Sequence, residues 1–591
     1  MADQHLKLSR RQIGVGLTAI AVLVVGYFCW QAVTASRALT NARHDANMVQ
    51  KQIQAGDFTG ASRSLDALRS DTHTAHSRTG GPLWDITKHI PYVGRNIGAV
   101  QTVARVLDTA TSINAPIALQ LSHSLDQGAF RPVNGKIDLA EVTKLTPEVQ
   151  KAASSIDQAG DDLDTIRSGR LLFPFNDLVG DLQDQVDEAR SAANATASAF
   201  DLLPQMLGAD GPRTYLLMIQ NPAELRSTGG LPGSLAILHA DNGRLTMGWQ
   251  GSAGDINPST NGFPSPVVAL PKETLDEYGQ TPATDFRDLN FSPDFSQDAQ
   301  IARAMVKRRL GVSVDGVVSV DPVALGYMMI GTGPIAVGNN ITLTAATVAP
   351  TLLNETYKNI QNATAQDTFF ESVARKIFDA VMGGQGNQQQ AVRGLGTATS
   401  QHRVLIWSSR ADEESRFAGT AVGGTLQGKT GSRPQVGLFI NDSTAGKMDY
   451  YLQYRSSVSA VDCRDHGAQD LHAVVSLGSN VPKDFSSLGP FILGSGEFTK
   501  QGDIAFNLRL YAPAGGEVTG LTVDGTEQTI TADPDHGRTI AFLPITLTPG
   551  QRMTVTADIT TAKNQSGDGV LDFTPGLLPV ANGTKIASAC D

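Results

Sequence analysis

The spacing of apolar residues changes twice along the chain, and these changes restrict the fold more than any single motif does. Over residues 34–203 the apolar positions recur at helical intervals. Over residues 204–446 continuous apolar runs alternate with helical segments, which is typical of a sheet with helices on its faces. Over residues 447–591 short segments of period two are separated by glycine, proline or aspartate turns, which indicates a β-sandwich.

These periods predict a central α/β domain in which a mixed sheet is flanked by helices. A transmembrane helix and a helical stalk precede that domain, and a C-terminal β-sandwich follows it. A chain of 591 residues is too long for one hydrophobic core, so several domains are expected. The predicted segments are a cytoplasmic tail (1–12), a transmembrane anchor (13–33), a helical stalk or bundle (34–203), the α/β domain (204–446) and the β-sandwich (447–591).

The transmembrane prediction rests on the run from Ile13 to Val33, which has 21 residues and no charged side chain. A helix of that length can cross a hydrocarbon core of about 30 Å. Lys7, Arg10 and Arg11 precede the run and favour a cytoplasmic N-terminus. We therefore expect a single-pass protein of the cell membrane with most of the chain extracytoplasmic. A cleaved signal peptide is the alternative.

The net charge limits the classes of binding partner, and the cysteine content bears on the cellular compartment. Lys and Arg number 47 against 58 Asp and Glu, which gives a net charge of −11 and argues against nucleic acid as a partner. Of the three cysteines, Cys463 and Cys590 lie outside the apolar run. In an exported chain these two most simply form one disulfide, and two unpaired thiols are the alternative.

The stretch from Tyr215 to Trp249 holds the best candidate site. It reads as three strands, with a polar, glycine-rich loop between the first two. The guanidinium of Arg226 in this loop could bind an anion through two hydrogen bonds, beside free backbone amides. The predicted binding residues are Glu224, Arg226, Thr228, Gly229, Gly230, Arg287 and Asp288, and the candidate catalytic residues are Arg226, Asp255 and Asp294.

Aspartates near the loop could hold a magnesium ion that bridges to a pyrophosphate, although no cofactor is firmly predicted. The alternative is structural. Glu224 and Arg226 would then form ion pairs within the protein, and Asp294 would cap the helix that begins near Ser296.

The sequence does not support a nucleotide-binding, zinc-binding or serine-hydrolase motif. The string from Gly423 to Thr430 fits the Walker A pattern. Gly431-Ser432-Arg433-Pro434 follows and would break the helix that a phosphate-binding loop requires. The 11 histidines form no zinc motif, and no GxSxG elbow is present.

Five separated segments occur in an order that is typical of a known family. They are Ile90 to Asn96, Asn221 to Ser234, Asp288 to Phe295, Val314 to Gly333 and Asn441 to Tyr451. These segments resemble a bacterial membrane-anchored family known as domain of unknown function 4012. A more distant resemblance is to the LytR-CpsA-Psr phosphotransferases, which attach cell-wall glycopolymers carried on polyprenyl pyrophosphate. That family has Arg-x-Asp-Thr after its first strand, where this chain has Arg226-Ser227-Thr228-Gly229.

Two functional hypotheses follow. In the first, an anchored cell-envelope protein binds or transfers an anionic glycan or a polyprenyl-pyrophosphate-linked substrate. In the second, the protein is a non-catalytic envelope scaffold that makes adhesion-type contacts. A pocket in which Arg226 converges with carboxylates would favour the first, and a carboxylate-poor surface would favour the second.

Overall fold

Helices form the N-terminal third of the protein, and mixed β-sheets follow. The computed structural model describes residues 10–90, 94–167, 171–173, 175–338, 340–426, 431–530, 532–535, 538–577 and 585–590. Within the chain two compact units can be distinguished: Met1–Ala129 with Ala140–Asp201, and Phe130–Leu139 with Leu202–Asp591.

The first unit is a bundle of long helices. The sequence predicts a break at Gly56-Asp57, and one helix ends at Gln54 while the next begins at Phe58. Asp57 caps the second helix, since its Oδ1 accepts from the Gly60 amide at 2.8 Å. The helices are α1 Arg10–Gln54, α2 Phe58–Thr79, α3 Pro82–Thr87, α4 Gly94–Thr109, α5 Ala115–Asp126, α6 Leu139–Asp164 and α7 Phe175–Met206.

The predicted transmembrane anchor at 13–33 is wrong by this structure. Among the described residues, no helix combines the length and the apolar character that a bilayer crossing needs. The run is part of α1, which continues without interruption to Gln54. Near its end Gln31 is buried and accepts a hydrogen bond from Trp84 Nε1 at 3.1 Å, and the Arg78 guanidinium lies 4.6 Å from the centre of the Trp30 ring. This part of the run therefore makes polar contacts with neighbouring helices.

The α/β part of the second unit is built on a sheet with strand order β3-β2-β1-β4-β7. β1 and β4 pair in parallel and the other neighbours are antiparallel, so the sheet is mixed. A two-stranded sheet, β5-β6, lies apart from it. The strands are β1 Arg213–Asn221, β2 Leu231–Asp241, β3 Arg244–Ser252, β4 Gly316–Val320, β5 Ile335–Gly338, β6 Ile341–Leu343 and β7 Val404–Ser408.

Helices cover this sheet. Helix α11 packs against it through Ile301, Met305 and Val306, which are fully buried together with Leu216 and Val317 of the sheet. The helices are α8 Ala253–Ile256, α9 Lys272–Tyr278, α10 Thr281–Thr284, α11 Phe295–Leu310, α12 Pro322–Thr332, α13 Val348–Pro350, α14 Thr356–Asn359, α15 Ala363–Met382, α16 Gln388–Ser400 and α17 Ala411–Phe417.

Two facing sheets form the C-terminal part, with strand orders β13-β12-β16-β10-β9 and β14-β15-β11-β8-β17-β18. β8 precedes residue 447, yet it pairs with β11 and β17 in the second of these sheets. A short helix, α18 Pro490–Leu493, lies in the β10–β11 connection. The strands are β8 Gln435–Asp442, β9 Leu452–Cys463, β10 Gln469–Ser479, β11 Ile504–Tyr511, β12 Glu517–Val523, β13 Thr526–Glu527, β14 Ala532–Asp535, β15 Arg538–Leu547, β16 Arg552–Thr560, β17 Gly569–Phe573 and β18 Lys585–Ile586.

The predicted disulfide is confirmed. Cys463 at the end of β9 is bonded to Cys590 next to the C-terminus, with the two Cα atoms 4.8 Å apart. The bond joins residues 127 positions apart and so encloses nearly the whole sandwich. Cross-linking so long a segment stabilises the fold chiefly by restricting the unfolded chain.

Removal of this disulfide is expected to destabilise the sandwich. Cys463→Ser should lower its free energy of unfolding by about 2–4 kcal/mol, because the unfolded chain regains the entropy of a long loop. Urea denaturation followed by circular dichroism measures this. Cys590→Ser and the double variant are the matched controls and should show the same loss, as should wild type in reductant. Additive losses in the double variant would contradict a shared bond.

Candidate functional site

The glycine-rich loop is a buried connection, which begins where β1 ends at Asn221 and ends where β2 begins at Leu231. It is closed by its own hydrogen bonds. Asn221 Oδ1 accepts from the Ala223 amide at 3.0 Å, and the Leu231 amide donates to the Glu224 carbonyl at 2.9 Å. We call residues 222–230 the β1–β2 loop.

The β1–β2 loop reaches into the C-terminal sandwich. Leu225 is 1% exposed and belongs to the apolar core formed by Val436, Leu438, Leu508 and their neighbours. A side chain from the α/β part thus completes the core of the sandwich.

Polar contacts hold this loop against the sandwich on both sides of Leu225. The Leu225 amide donates to Asp449 Oδ2 at 2.8 Å, and its carbonyl accepts from the Asp442 amide at 2.9 Å. The Ser227 amide donates to Asn441 Oδ1 at 3.0 Å, and the Ser227 carbonyl accepts from Thr574 Oγ1 at 3.0 Å. Four main-chain groups of the loop are therefore bound to the end of β8, to residue 449 and to the segment after β17.

Arg226 is buried beside this contact and is bonded within the protein. Its Nε and Nη2 donate to Asp288 Oδ1 at 3.1 and 2.7 Å, and its Nη1 donates to the Leu225 carbonyl at 2.9 Å. The guanidinium also lies 5.0 Å from the centre of the Phe291 ring. Burial lowers its pKa, but Asp288, Asp442 and Glu224 outweigh burial and hold the pKa above the ordinary value. Arg226 is a charged residue of the interior.

Three amides of the predicted anion-binding loop also donate within the protein. Besides the Ser227 amide, the Gly229 amide donates to the Arg226 carbonyl at 2.9 Å and the Gly230 amide donates to Gln220 Oε1 at 2.7 Å. The Thr228 hydroxyl accepts from Asn290 Nδ2 at 3.0 Å. The small residues here serve close packing, because a Cβ on Gly230 would lie 2.2 Å from the Asn221 carbonyl oxygen.

Glu224 lies near Arg226 and pairs with Lys447, whose Nζ is 3.2 Å from Glu224 Oε1. The same Nζ lies 4.6 Å from the centre of the Tyr357 ring. This ion pair joins the β1–β2 loop to the segment after β8. Glu224 therefore helps to hold the loop against the sandwich, as Leu225 does.

The other predicted residues lie apart or have local roles. Arg287 pairs with Asp285, whose Oδ1 also accepts from Asn257 Nδ2 at 2.7 Å. Asp255 Oδ2 accepts from the Ser252 amide at 2.8 Å in a capping box at α8. Asp294 caps α11 through the amides of Ser296 and Gln297. The structure thus brings Glu224, Arg226 and Asp288 together and places the two candidate catalytic aspartates at helix starts.

Residues proposed for magnesium are therefore engaged in other contacts. Within the part of the chain that the structure describes, no group of three or more His, Cys, Asp or Glu side chains is arranged to hold a metal ion. Of the Walker A string, residues 427–430 lie outside the described residues, and residues 431–434 form a turn that leads into β8. Residues 91–93 of the Ile90 to Asn96 segment also lie outside.

Three buried carboxyl groups that lie around the β1–β2 loop are not identified from the sequence alone. Burial raises the pKa of Asp442 to about 6, although Arg226 and the Thr444 amide act in the opposite direction. Burial and the neighbouring Asp442 raise the pKa of Asp449 well above its usual value. Burial, with Asp294, does the same for Asp298, whose Oδ2 lies 3.5 Å from the Thr228 hydroxyl. Residue type alone does not reveal such burial.

A methyl group at position 230 is expected to disrupt the β1–β2 loop. Gly230→Ala should destabilise the protein by about 2–3 kcal/mol, because the Asn221 backbone must move to accommodate the Cβ. Gly233→Ala is the matched control, since its Cβ would meet no atom closer than 3.7 Å. Thermal unfolding of the two variants compares them, and equal melting temperatures would contradict the packing role of Gly230.

Asp442 is expected to make stability depend on pH. A carboxyl group whose pKa is raised by folding binds its proton more tightly in the folded state. Its contribution is therefore full below the unfolded pKa of about 4 and is lost as the pH rises through about 6. Urea denaturation from pH 4 to 7 should show a shallower fall for Asp442→Asn than for wild type. Asp484→Asn, which removes an exposed carboxylate of the same sandwich, is the control. Identical slopes for Asp442→Asn and wild type would contradict this.

The β1–β2 loop lies inside a region shared with other proteins. Residues 210–357 match a family model described as a protein of unknown function (DUF4012), which covers β1 to β6 and the helices around them. No curated protein and no solved structure matches the chain. The distant resemblance to the LytR-CpsA-Psr phosphotransferases is not shown by these comparisons. The segment that contains Arg226 and Asp288 is therefore similar to a family of unknown function.

Proposed function

We propose that this protein is a non-catalytic extracytoplasmic scaffold of the cell envelope, in which the β1–β2 loop fastens the α/β part to the sandwich. The observation that carries the proposal is the internal bonding of Arg226. All three of its guanidinium nitrogens donate to acceptors of the same chain, and its side chain is only 8% exposed.

A phosphate-binding arginine needs donors that face the ligand. The bidentate grip on an anion uses two nitrogens of one guanidinium edge. In this structure the edge formed by Nε and Nη2 is already bound to Asp288. A pyrophosphate would have to displace that carboxylate from a buried position, which is costly because Asp288 would then lose its charged partner.

The surrounding groups support the same proposal. The carboxylates predicted for magnesium are ion-paired or cap helices, as Asp288 and Asp294 do. The amides of Ser227, Gly229 and Gly230 donate within the protein. These polar groups of the β1–β2 loop are thus hydrogen-bonded within the protein. No observation on the described residues favours transfer chemistry at this loop.

The extracytoplasmic placement is supported by the disulfide between Cys463 and Cys590. Disulfides persist in oxidising compartments and are rare in the reducing cytosol. In an oxidising compartment the disulfide would stay formed and would stabilise the sandwich in addition to its apolar core.

Arg226→Ala separates the structural role from a phosphate-binding role. Loss of one partner from a buried ion pair should lower the free energy of unfolding by about 3 kcal/mol, while the neighbouring and more exposed Arg287→Ala should change it by less than about 1 kcal/mol. Urea denaturation measures stability, and calorimetry measures binding of a polyprenyl-pyrophosphate analogue. We expect no specific binding by wild type or by either variant.

Asp288→Asn provides a second test that retains the guanidinium. Freeing Arg226 from its carboxylate should strengthen the binding of pyrophosphate if the arginine is a ligand, and should only weaken the fold if it is structural. Saturable binding by wild type that is lost in a folded Arg226→Ala variant would overturn the proposal.

A further inference from the structure

Two buried carboxyl groups, those of Asp442 at the end of β8 and of Asp449 just after it, lie against the β1–β2 loop. Asp442 accepts from the Thr444 and Ala445 amides at 3.0 and 3.1 Å, and Asp449 Oδ2 accepts from the Leu225 amide at 2.8 Å. Among the described residues neither aspartate forms an ion pair, and Asp449 Oδ1 accepts no hydrogen bond. Both carboxyl groups are therefore held by main-chain amides and not by a cation.

The other charged groups around these two carboxyl groups form pairs of opposite sign. The pairs are Glu224 with Lys447, Asp288 with Arg226, Asp285 with Arg287 and Asp321 with Arg403. Tyr357 and Tyr454 stay neutral, because burial raises the pKa of each hydroxyl. The charges around the loop are thus balanced when Asp442 and Asp449 carry protons, and two negative charges are in excess when both are ionised.

Ionising both aspartates in this position is costly. Burial is the largest cause that raises the pKa of Asp442, to about 6, and the pKa of Asp449, well above its ordinary value. The charge of Asp442 raises the pKa of Asp449 further, and Glu224 acts on both in the same direction. Arg226 and the amide hydrogen bonds oppose these effects without cancelling them. Contact with water would remove the cost, because water solvates a carboxylate that the protein interior does not.

The β1–β2 loop contacts both aspartates through one residue. The Leu225 amide is bonded to the Asp449 carboxyl group, and the Leu225 carbonyl accepts from the Asp442 amide. The flanking strands β1 and β2 are held to each other by their own pairing from Arg213 to Asn221. Displacement of Leu225 from the sandwich would therefore bring water to the two aspartates without separating the strands of the central sheet.

We propose that the contact between the β1–β2 loop and the sandwich is a pH-dependent switch, closed while Asp442 and Asp449 carry protons and opened locally when both have lost them. This inference rests on the proposed function, since it concerns the regulation of the same fastening loop. A carboxyl group that binds its proton more tightly in the closed state contributes fully below its ordinary pKa of about 4. That contribution is lost as the pH rises through the raised pKa, which for Asp442 is about 6, and Asp449 contributes with the same sign.

Hydrogen exchange of the full-length protein, measured at about pH 5 and about pH 8 and corrected for the intrinsic rates at each pH, tests this proposal. In the wild type, the protection of the Leu225 and Ser227 amides should fall about tenfold or more, since each unit of pKa difference changes the opening equilibrium tenfold. Strand β10 is paired on both sides, and its amides should keep their protection because the opening is local.

Variants that cannot ionise provide the matched comparison. Asp442→Asn combined with Asp449→Asn keeps the side-chain shapes and removes both ionisations, so the protection of the loop should no longer depend on pH. Asp484→Asn removes an exposed carboxylate of the sandwich and should behave as the wild type does.

Equal protection of the loop at both pH values in the wild type would overturn the proposal. A parallel fall in the protection of β10 would also overturn it, because the event would then be global unfolding. The wild type alone gives this answer where the double variant does not fold. Neither outcome bears on the structural role of Arg226, which is tested separately by pyrophosphate binding.

Discussion

Leu225 joins the α/β part to the sandwich through a buried apolar contact. It is the point at which a loop of the central sheet enters a core built by strands more than two hundred residues later in the chain. An apolar side chain buried in this way contributes about 2 kcal/mol by transfer from water alone. Its amide and carbonyl are bonded to Asp449 and Asp442, so the contact is directional as well as apolar.

The insertion of the loop buries carboxyl groups close to one another, and the positive charge of Arg226 offsets their repulsion. Bringing the β1–β2 loop to the end of β8 buries Asp442 and Asp449 near Glu224. Burial raises the pKa of both aspartates, and the nearby charge of Glu224 acts in the same direction. Arg226 is attracted to Asp288, Asp442 and Glu224, and Lys447 pairs with Glu224. A buried cation among several carboxyl groups stabilises the charged forms of its neighbours. The nitrogens of the Arg226 guanidinium are bonded to Asp288 and to the Leu225 carbonyl within the same chain.

The sequence predicts much of this architecture because local chemistry specifies it. Apolar spacing and the cap residue place the helix break at Gly56-Asp57 without tertiary information. The role of Arg226 is different, since an arginine beside glycines reads equally well as an anion site or as an internal ion pair. The choice depends on Asp288, which lies 62 positions away in the chain and reaches Arg226 only through the tertiary fold. The transmembrane prediction fails for a related reason, because composition does not show that Gln31 and Trp84 contact each other.

Glycine-rich loops are commonly read as places where a ligand approaches the backbone, yet in this protein the approaching group is another part of the chain. At Gly230 the nearest atoms are those of Asn221, and at Gly229 the nearest atom is Gln220 Oε1. Small residues permit close approach whatever the approaching group is. The small residues of the β1–β2 loop therefore allow neighbouring parts of the same chain to pack closely against its backbone.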